Sequence, residues 1–148
     1  MRIYLPLTAQ DRPVLEERRG AIDLAHGRAA WAVHAEARAD RPEEDEEDLE
    51  YEAMQDAVHV AFAAAQPSQK VLVIAADVPD GALVPATEDG GAFGVALSTG
   101  SSGRIASFHV TELDAAAADE DDTDPALLWF DASEGPSALA YLDSATRS

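Results

Sequence analysis

The chain has 148 residues, which is enough for one domain with a hydrophobic core and too few for two ordinary domains. Its 29 acidic and 10 basic residues give a formal net charge of −19, which argues against direct binding to nucleic-acid phosphates or to an anionic membrane surface. The sequence contains no cysteine, so disulfides, thiolate metal sites and thiol catalysis are excluded.

The first half of the chain predicts two strands and two helices. Apolar residues alternate with polar ones over residues 2–7, which is typical of a strand, and residues 29–34 show a weaker strand pattern. Residues 13–19 predict a short helix. Over residues 43–66 apolar side chains recur every three or four positions, so this segment predicts one long amphipathic helix whose first turns carry carboxylates.

The second half of the chain predicts mainly strands. Residues 70–76 are apolar after Lys70 and rich in β-branched side chains, which indicates a central strand buried on both faces. Residues 92–98 and 104–111 predict an antiparallel hairpin because a short loop of glycine and serine separates them.

The end of the chain completes the predicted fold. Residues 126–130 predict a last strand, and residues 136–145 predict a short closing helix. Taken together, residues 1–148 predict a single α/β or α+β domain. Its mixed sheet would have about five to six strands, accompanied by one long amphipathic helix and two or three short helices.

The negative charge is concentrated in two acidic segments, residues 40–52 and 112–124. Their densest runs are Glu43, Glu44, Asp45, Glu46, Glu47 and Asp48 in the first segment and Asp119, Glu120, Asp121 and Asp122 in the second. This segregation favours a protein-interaction or regulatory module that binds a basic protein partner, because complementary charge speeds association and selects partners. Mimicry of nucleic acid toward a DNA-binding protein is a special case, and acidity that serves solubility alone is the plain alternative.

The acidic segments do not predict a metal site. Residues 119–124 lack the alternating ligands, the central glycine and the distant glutamate of an EF-hand calcium loop. His26, His34, His59 and His109 are scattered without the spacing of a zinc site. We therefore expect no metal and no cofactor.

A small-ligand-binding protein or an enzyme is the alternative function, with a pocket at the strand ends near Asp77 and His109 and with Tyr4 beside them. Asp77 follows the most apolar strand, where open α/β sheets place ligand-binding groups, and a histidine beside a carboxylate can act as a general base. Each residue also has a structural interpretation, Asp77 as a turn residue and His109 as an ordinary strand residue. The serine- and glycine-containing loop 98–103 matches neither a phosphate-binding loop nor a serine-nucleophile motif, so an enzyme is the less favoured interpretation.

Several segments carry a resemblance to a known family. They are residues 1–6, the acidic run into residues 49–54, and residues 73–79, 107–110 and 127–130. In this order they resemble an uncharacterised family of small acidic actinobacterial proteins, with a looser match over residues 25–41 and at the C-terminus. The resemblance implies no activity and no site residues. Because the chain shows neither the apolar run of a signal peptide nor a stretch long enough to span a membrane, the sequence predicts a cytoplasmic protein.

Overall fold

The fold is built on one antiparallel sheet. The computed structural model describes residues 1–87 and 91–144. Within them lie eight strands: β1 (Arg2–Pro6), β2 (Ala21–Leu24), β3 (Ala29–Ala32), β4 (Leu72–Asp77), β5 (Leu83–Pro85), β6 (Gly94–Leu97), β7 (Ser101–Thr111) and β8 (Leu127–Asp131). Their order in the sheet is β2, β7, β4, β1, β3, β6, β5, and β8 also pairs with β7.

Helices accompany the sheet along the described chain. The α-helices are α1 (Arg12–Glu16), α2 (Ala35–Asp40), α3 (Glu46–Ala64), α4 (Ala115–Asp119) and α5 (Gly135–Asp143). Three short 3-10 turns add to them at Ala9–Asp11, Asp80–Ala82 and Ala132–Glu134. None of these described helices is both long enough and apolar enough to cross a membrane.

The prediction of a mixed sheet with five to six strands is wrong, since the described sheet has eight strands and every pair in it is antiparallel. The helical crossover of α2 and α3 joins β3 to β4, but β1 lies between these two strands and pairs antiparallel with both. This crossover therefore creates no pair of parallel neighbouring strands in the described sheet. The additional strands β2 and β5 have four and three residues and lie at the ends of the strand order, where short strands give a weak sequence pattern.

The predicted hairpin of residues 92–98 and 104–111 is also wrong. Its two strands exist as β6 and β7, but β6 pairs with β3 and β5, whereas β7 pairs with β2, β4 and β8. The sheet curls into a half-barrel, which lets a short link connect strands that are far apart in the strand order. Backbone hydrogen bonds between Leu97 and the link from β2 to β3, at Gly27 and Arg28, hold this closure.

The expectation that one long helix dominates the fold is corrected as well. Within the predicted segment 43–66, α3 runs from Glu46 to Ala64, and Asp45 precedes it in an extended conformation. Four further helices, rather than two or three, lie in the described residues. The predicted closing helix corresponds to α5, and residue 145 of that prediction lies outside the described residues.

Alternate residues of the central strands point to opposite faces of the sheet, and both faces are covered. On one face, called the α5 face, Ile3, Leu5 and Ile74 belong to a core cluster that includes Leu15 of α1 and Leu139 of α5. This double coverage confirms the prediction that β4 is buried on both faces, as its first five residues are all buried. It explains why the sequence of β4 is continuously apolar rather than alternating.

The opposite face, called the α3 face, is covered by α2 and α3. Tyr4, Trp31 and Val73 of the sheet belong to a second core cluster with Leu49 and Val58 of α3. Trp31 is 5% exposed. The helix α3 packs over β1, β3 and β4, whereas β7 and β8 contact α5. Several of the polar residues considered below lie on β7 and β8.

On the α5 face, buried polar groups are hydrogen-bonded. The Asp11 carboxylate is 4% exposed; it accepts two hydrogen bonds from the Arg28 guanidinium, at 2.7 and 2.9 Å, and one from the backbone N–H of Thr8. Lys70 Nζ donates to the carbonyl oxygen and hydroxyl of Ser144, at 2.7 and 2.9 Å, just beyond α5. The lysine thereby satisfies acceptors at the negative end of the α5 dipole.

The contact between α1 and α5 requires a glycine. A side-chain carbon at Gly135, the first residue of α5, would overlap the backbone carbonyl of Leu15 in α1. The absence of a Cβ therefore sets how closely the two helices approach. This close contact helps to seal the α5 face.

Candidate functional site

Asp77 is held by an arginine. As the last residue of β4, it accepts hydrogen bonds from Arg2 of the neighbouring strand β1, at 2.7 Å from Nε and 3.2 Å from Nη2. The hydrogen bonds from Arg2 are the main cause that lowers the pKa of Asp77. The carboxylate is therefore an ion-pair partner whose side chain remains 40% exposed.

His109 forms a different polar pair. Its Nε2 lies 2.8 Å from the Oγ of Ser107, two residues earlier on the same face of β7. Burial, with a smaller contribution from the charge of Arg2, lowers the pKa of His109 to about 4. The imidazole is therefore neutral at pH 7, and it can accept the serine proton in a hydrogen bond.

The sheet register does not bring Asp77 and His109 together. On β4 and β7, Asp77 pairs with Arg104 and Val73 pairs with His109. Four residues of strand separate these pairs, which corresponds to about 13 Å along the sheet. Tyr4, the third residue of that hypothesis, donates a hydrogen bond of 3.3 Å to Glu50 instead. The three residues therefore have separate hydrogen-bond partners.

The structure does bring the two acidic segments together. The Tyr51 hydroxyl of α3 donates a hydrogen bond of 3.1 Å to Asp124 Oδ2. Tyr51 belongs to segment 40–52 and Asp124 to segment 112–124, so the two segments are in contact at this point. Burial and the Asp124 carboxylate both raise the pKa of Tyr51, so the hydroxyl stays protonated and able to donate.

Arginines partly neutralise the first acidic segment. Residues 43–45 precede α3, and Glu46, Glu47 and Asp48 form its first turn. Glu46 pairs with Arg38 at 2.7 Å, and Arg41 pairs with both Glu44 and Glu52. The hydrogen bond from Arg38 lowers the pKa of Glu46. Three of the nine carboxylates in segment 40–52 are therefore paired within the chain.

The second acidic segment has no such compensation. The structure describes residues 1–87 and 91–144, and no ion pair within them involves a carboxylate of segment 112–124. Asp114 accepts from the backbone of Ala117 and so caps α4, while Asp121 accepts from Thr123, which lowers its pKa. Asp119 ends α4, and Glu120 and Asp122 are exposed in the loop after it. These carboxylates remain free to pair with an external cation.

A cleft of about 700 Å³ separates α3 from α4 and the loop that follows it. We call it the α3–α4 cleft. Its apolar lining includes Phe62, Ala63, Ala65, Ala115, Ala116 and Ala118. Asp119, Glu120 and Asp121 lie on the same lining. The cleft thus combines small apolar side chains with carboxylates that have no ion-pair partner among the described residues.

A second cleft, of about 330 Å³, lies farther along the same helix. We call it the Gln55 cleft, and its lining residues are Arg41, Tyr51, Glu52, Gln55, Asp56, His59, Ala92, Phe93 and Asp124. His59 lines both clefts, so they are neighbours on α3. Gln55 is 5% exposed, and neither of its amide atoms has a hydrogen-bond partner among the described residues.

Sequence reasoning did not identify Gln55. The residue lies in α3 between Met54 and Asp56, and the only local signal is its position one helical turn after Tyr51. Its burial depends on Phe93 and Asp124, which come from distant parts of the chain. As for metals, no group of three or more histidine and carboxylate side chains in the described part of the chain is arranged to hold an ion.

A family model matches residues 1–139 of the chain, and its description is a family of unknown function, DUF6912. The chain belongs to this family. The match confirms the resemblance to an uncharacterised family, and DUF6912 membership carries no activity or site residues with it. No curated protein and no solved structure gives a significant match to the chain.

Proposed function

We propose that this DUF6912 protein is a small interaction module that binds a basic protein partner through its acidic surface. The single observation that carries the proposal is the α3–α4 cleft, where alanine side chains lie among carboxylates that have no ion-pair partner in the described chain. A segment with both apolar and basic side chains would bury the former in the cleft and pair the latter with the carboxylates at its rim.

The charge distribution supports this surface over the others. Within the described chain no arginine or lysine pairs with a carboxylate of segment 112–124, whereas Arg38 and Arg41 neutralise part of segment 40–52. Uncompensated charge at one surface accelerates association with a partner of opposite charge, and this attraction weakens as salt shortens the Debye length. Binding is therefore expected to be strongest at low ionic strength.

The finer expectations from the sequence belong to the same proposal. A cytoplasmic location and membership of an acidic actinobacterial lineage both suit a module that meets its partner inside the cell. Direct binding of nucleic acid and binding to a membrane are not part of it, because the net charge of −19 opposes both. The alternative of a ligand site near Asp77 and His109 is not carried forward, because the two residues lie four strand positions apart in the register and have different polar partners.

The test uses a defined peptide. A short amphipathic peptide of leucine, alanine and arginine is titrated by calorimetry, and a second peptide with glutamine in place of arginine serves as its control. Replacing two carboxylates of the cleft lining and one in the adjoining loop, in Asp119→Asn, Glu120→Gln and Asp122→Asn together, is expected to weaken binding of the basic peptide about tenfold, since each exposed ion pair contributes up to about 0.5 kcal/mol.

A matched variant separates local contacts from net charge. Glu16→Gln, Asp23→Asn and Glu36→Gln remove the same number of exposed carboxylates away from the cleft. This variant is expected to bind the basic peptide within about twofold of the unmodified protein at 0.1 M salt, where the Debye length is about 10 Å. Equal weakening in both triple variants, or no binding of the basic peptide at low salt, would contradict the proposal.

A further inference from the structure

We propose that the Gln55 cleft is a subsite for the guanidinium group of an arginine side chain on the basic partner. This inference rests on the proposed function and specifies one residue type that the partner presents. It starts from Gln55, whose amide is buried beside a cleft without a hydrogen bond to any described residue. A buried amide without partners is costly, so its retention at a cleft points to a ligand that completes it.

The atoms around Gln55 define what the ligand must offer. Gln55 Oε1 is a hydrogen-bond acceptor, and it has no partner among the described residues. Asp56 and Asp124 on the same lining also only accept when ionised. The ligand must therefore donate several hydrogen bonds.

The charges in the cleft require a cation. Three carboxylates, those of Glu52, Asp56 and Asp124, line it together with one guanidinium, that of Arg41. Arg41 is already paired with Glu52 and Glu44, so its guanidinium makes ion pairs with those two carboxylates rather than with Asp56 or Asp124. Asp56 makes no ion pair with any described residue, and partial burial raises its pKa. A cation bound beside Asp56 would favour its ionised form.

The aromatic side chains favour a guanidinium over an ammonium. The Arg41 guanidinium lies over the Phe93 ring, 5.2 Å from its centroid, so the lining of this cleft already accommodates one planar cation against an aromatic face. Tyr51 adds a second aromatic side chain, which is 45% exposed. Arginine spreads five donors over a flat group that stacks well, whereas a lysine ammonium is compact and strongly hydrated.

The direct test uses two small probes on the full chain. Nα-acetyl-argininamide and Nα-acetyl-lysinamide are titrated separately while nitrogen-15 NMR follows the side-chain amide signal of Gln55. The expected result is a saturable shift of this signal with the arginine probe and an affinity at least severalfold weaker for the lysine probe. Equal affinities for both probes, or no shift at Gln55, would overturn the guanidinium subsite.

Two substitutions locate the binding. Gln55→Leu and Asp56→Asn are each expected to weaken binding of the arginine probe about tenfold, because each removes an acceptor for a charged donor. Asp56→Asn changes a partly exposed side chain, so it tests the site even if Gln55→Leu alters folding. Gln10→Leu is the matched control, since Gln10 is exposed and far from the cleft, and it is expected to leave the affinity unchanged. Weakening by the control alone would refute the assignment.

The basic peptide described above distinguishes failure of this inference from failure of the proposed function. If that peptide binds at the α3–α4 cleft while the arginine probe leaves Gln55 unshifted, the acidic surface is an interface but the guanidinium subsite is refuted. If neither the peptide nor the probe binds, both proposals fail. If the peptide binds and shifts Gln55 only when it contains arginine, both are supported.

Discussion

The two faces of the sheet treat buried polar groups differently. On the α5 face, Asp11 and Lys70 are almost completely buried and each makes several hydrogen bonds. On the α3 face, Gln55 and the Nδ1 atom of His34 are buried without a partner among the described residues. The α3 face thus retains unsatisfied groups, and one of them, Gln55, lines an acidic cleft. Such groups are most easily explained where a ligand or partner completes them.

The largest effect is expected from removing a buried ion pair on the α5 face, which tests how much that pair contributes to stability. Asp11→Ala is expected to lower the free energy of unfolding by about 3 kcal/mol, because it leaves the largely buried Arg28 guanidinium without its carboxylate. Urea unfolding followed by circular dichroism measures the change. Asp143→Ala is the matched control, since Asp143 accepts two hydrogen bonds from one guanidinium nitrogen of Arg12 at the surface, and its loss is expected to change stability by less than about 1 kcal/mol. Similar losses for both variants would remove the contrast between buried and exposed pairs.

The next prediction tests the close packing of the same face. Gly135→Ala is expected to destabilise the protein by about 2 kcal/mol, because the added methyl group would force α5 away from the Leu15 carbonyl. Gly81→Ala is the control, since a side-chain carbon there would contact nothing within 4 Å, and it is expected to be close to neutral. Thermal unfolding of the two variants side by side gives the comparison. A neutral Gly135→Ala would show that α1 and α5 pack less tightly than described.

A smaller effect is expected from the titration of His109. Its pKa of about 4 in the folded protein lies below its ordinary value of 6.5, so the unfolded chain binds more protons between these pH values. The histidine therefore costs stability as the pH falls through this window, by at most about 1.4 kcal/mol per pH unit. His109→Gln is expected to show a flatter decline of unfolding free energy between pH 6.5 and 4 than the unmodified protein. His26→Gln changes an exposed histidine, and a flattening of the same size there would argue against the role of burial.

The smallest expected effect is a gain in stability, and it tests whether the buried amide of the α3 face is unsatisfied. Gln55→Leu is expected to raise the free energy of unfolding by about 1 kcal/mol, because it replaces an unsatisfied buried amide by an apolar group of similar size. Denaturant unfolding measures the gain, and the exposed Gln10→Leu is expected to give none. A loss of stability in Gln55→Leu would mean that the amide contributes to folding, and the α3 face would then resemble the α5 face.

The central strands could be predicted from the sequence because their patterns are local. β1, β4 and β7 each carry apolar residues at strand spacing, and each lies close to its predicted position. β7 begins earlier than expected, at Ser101, because its first four residues pair with β2 and continue the strand through the predicted loop. β2 and β5 are too short for their patterns to stand out.

The strand order and the clefts depend on long-range contacts that no local pattern carries. The link of Ser98 to Gly100 has the length of a hairpin, but the curl of the sheet places β6 and β7 with different partners. The two acidic segments are obvious from composition, yet their adjacency depends on one hydrogen bond between Tyr51 and Asp124. Gln55 has an ordinary helical context, so its burial could be found only from the folded chain.

The two tryptophans differ so much in exposure that their intrinsic fluorescence reports on two separate parts of the molecule. Trp31 is 5% exposed within the α3-face core, whereas Trp129, opposite His109 on the outer strand β8, is 62% exposed. A water-soluble quencher should therefore extinguish the emission of Trp129 first and leave the emission of Trp31. With each tryptophan replaced in turn by phenylalanine, fluorescence can follow the edge of the sheet and the α3-face core separately. Loosening at the outer strand would then be visible before the core opens.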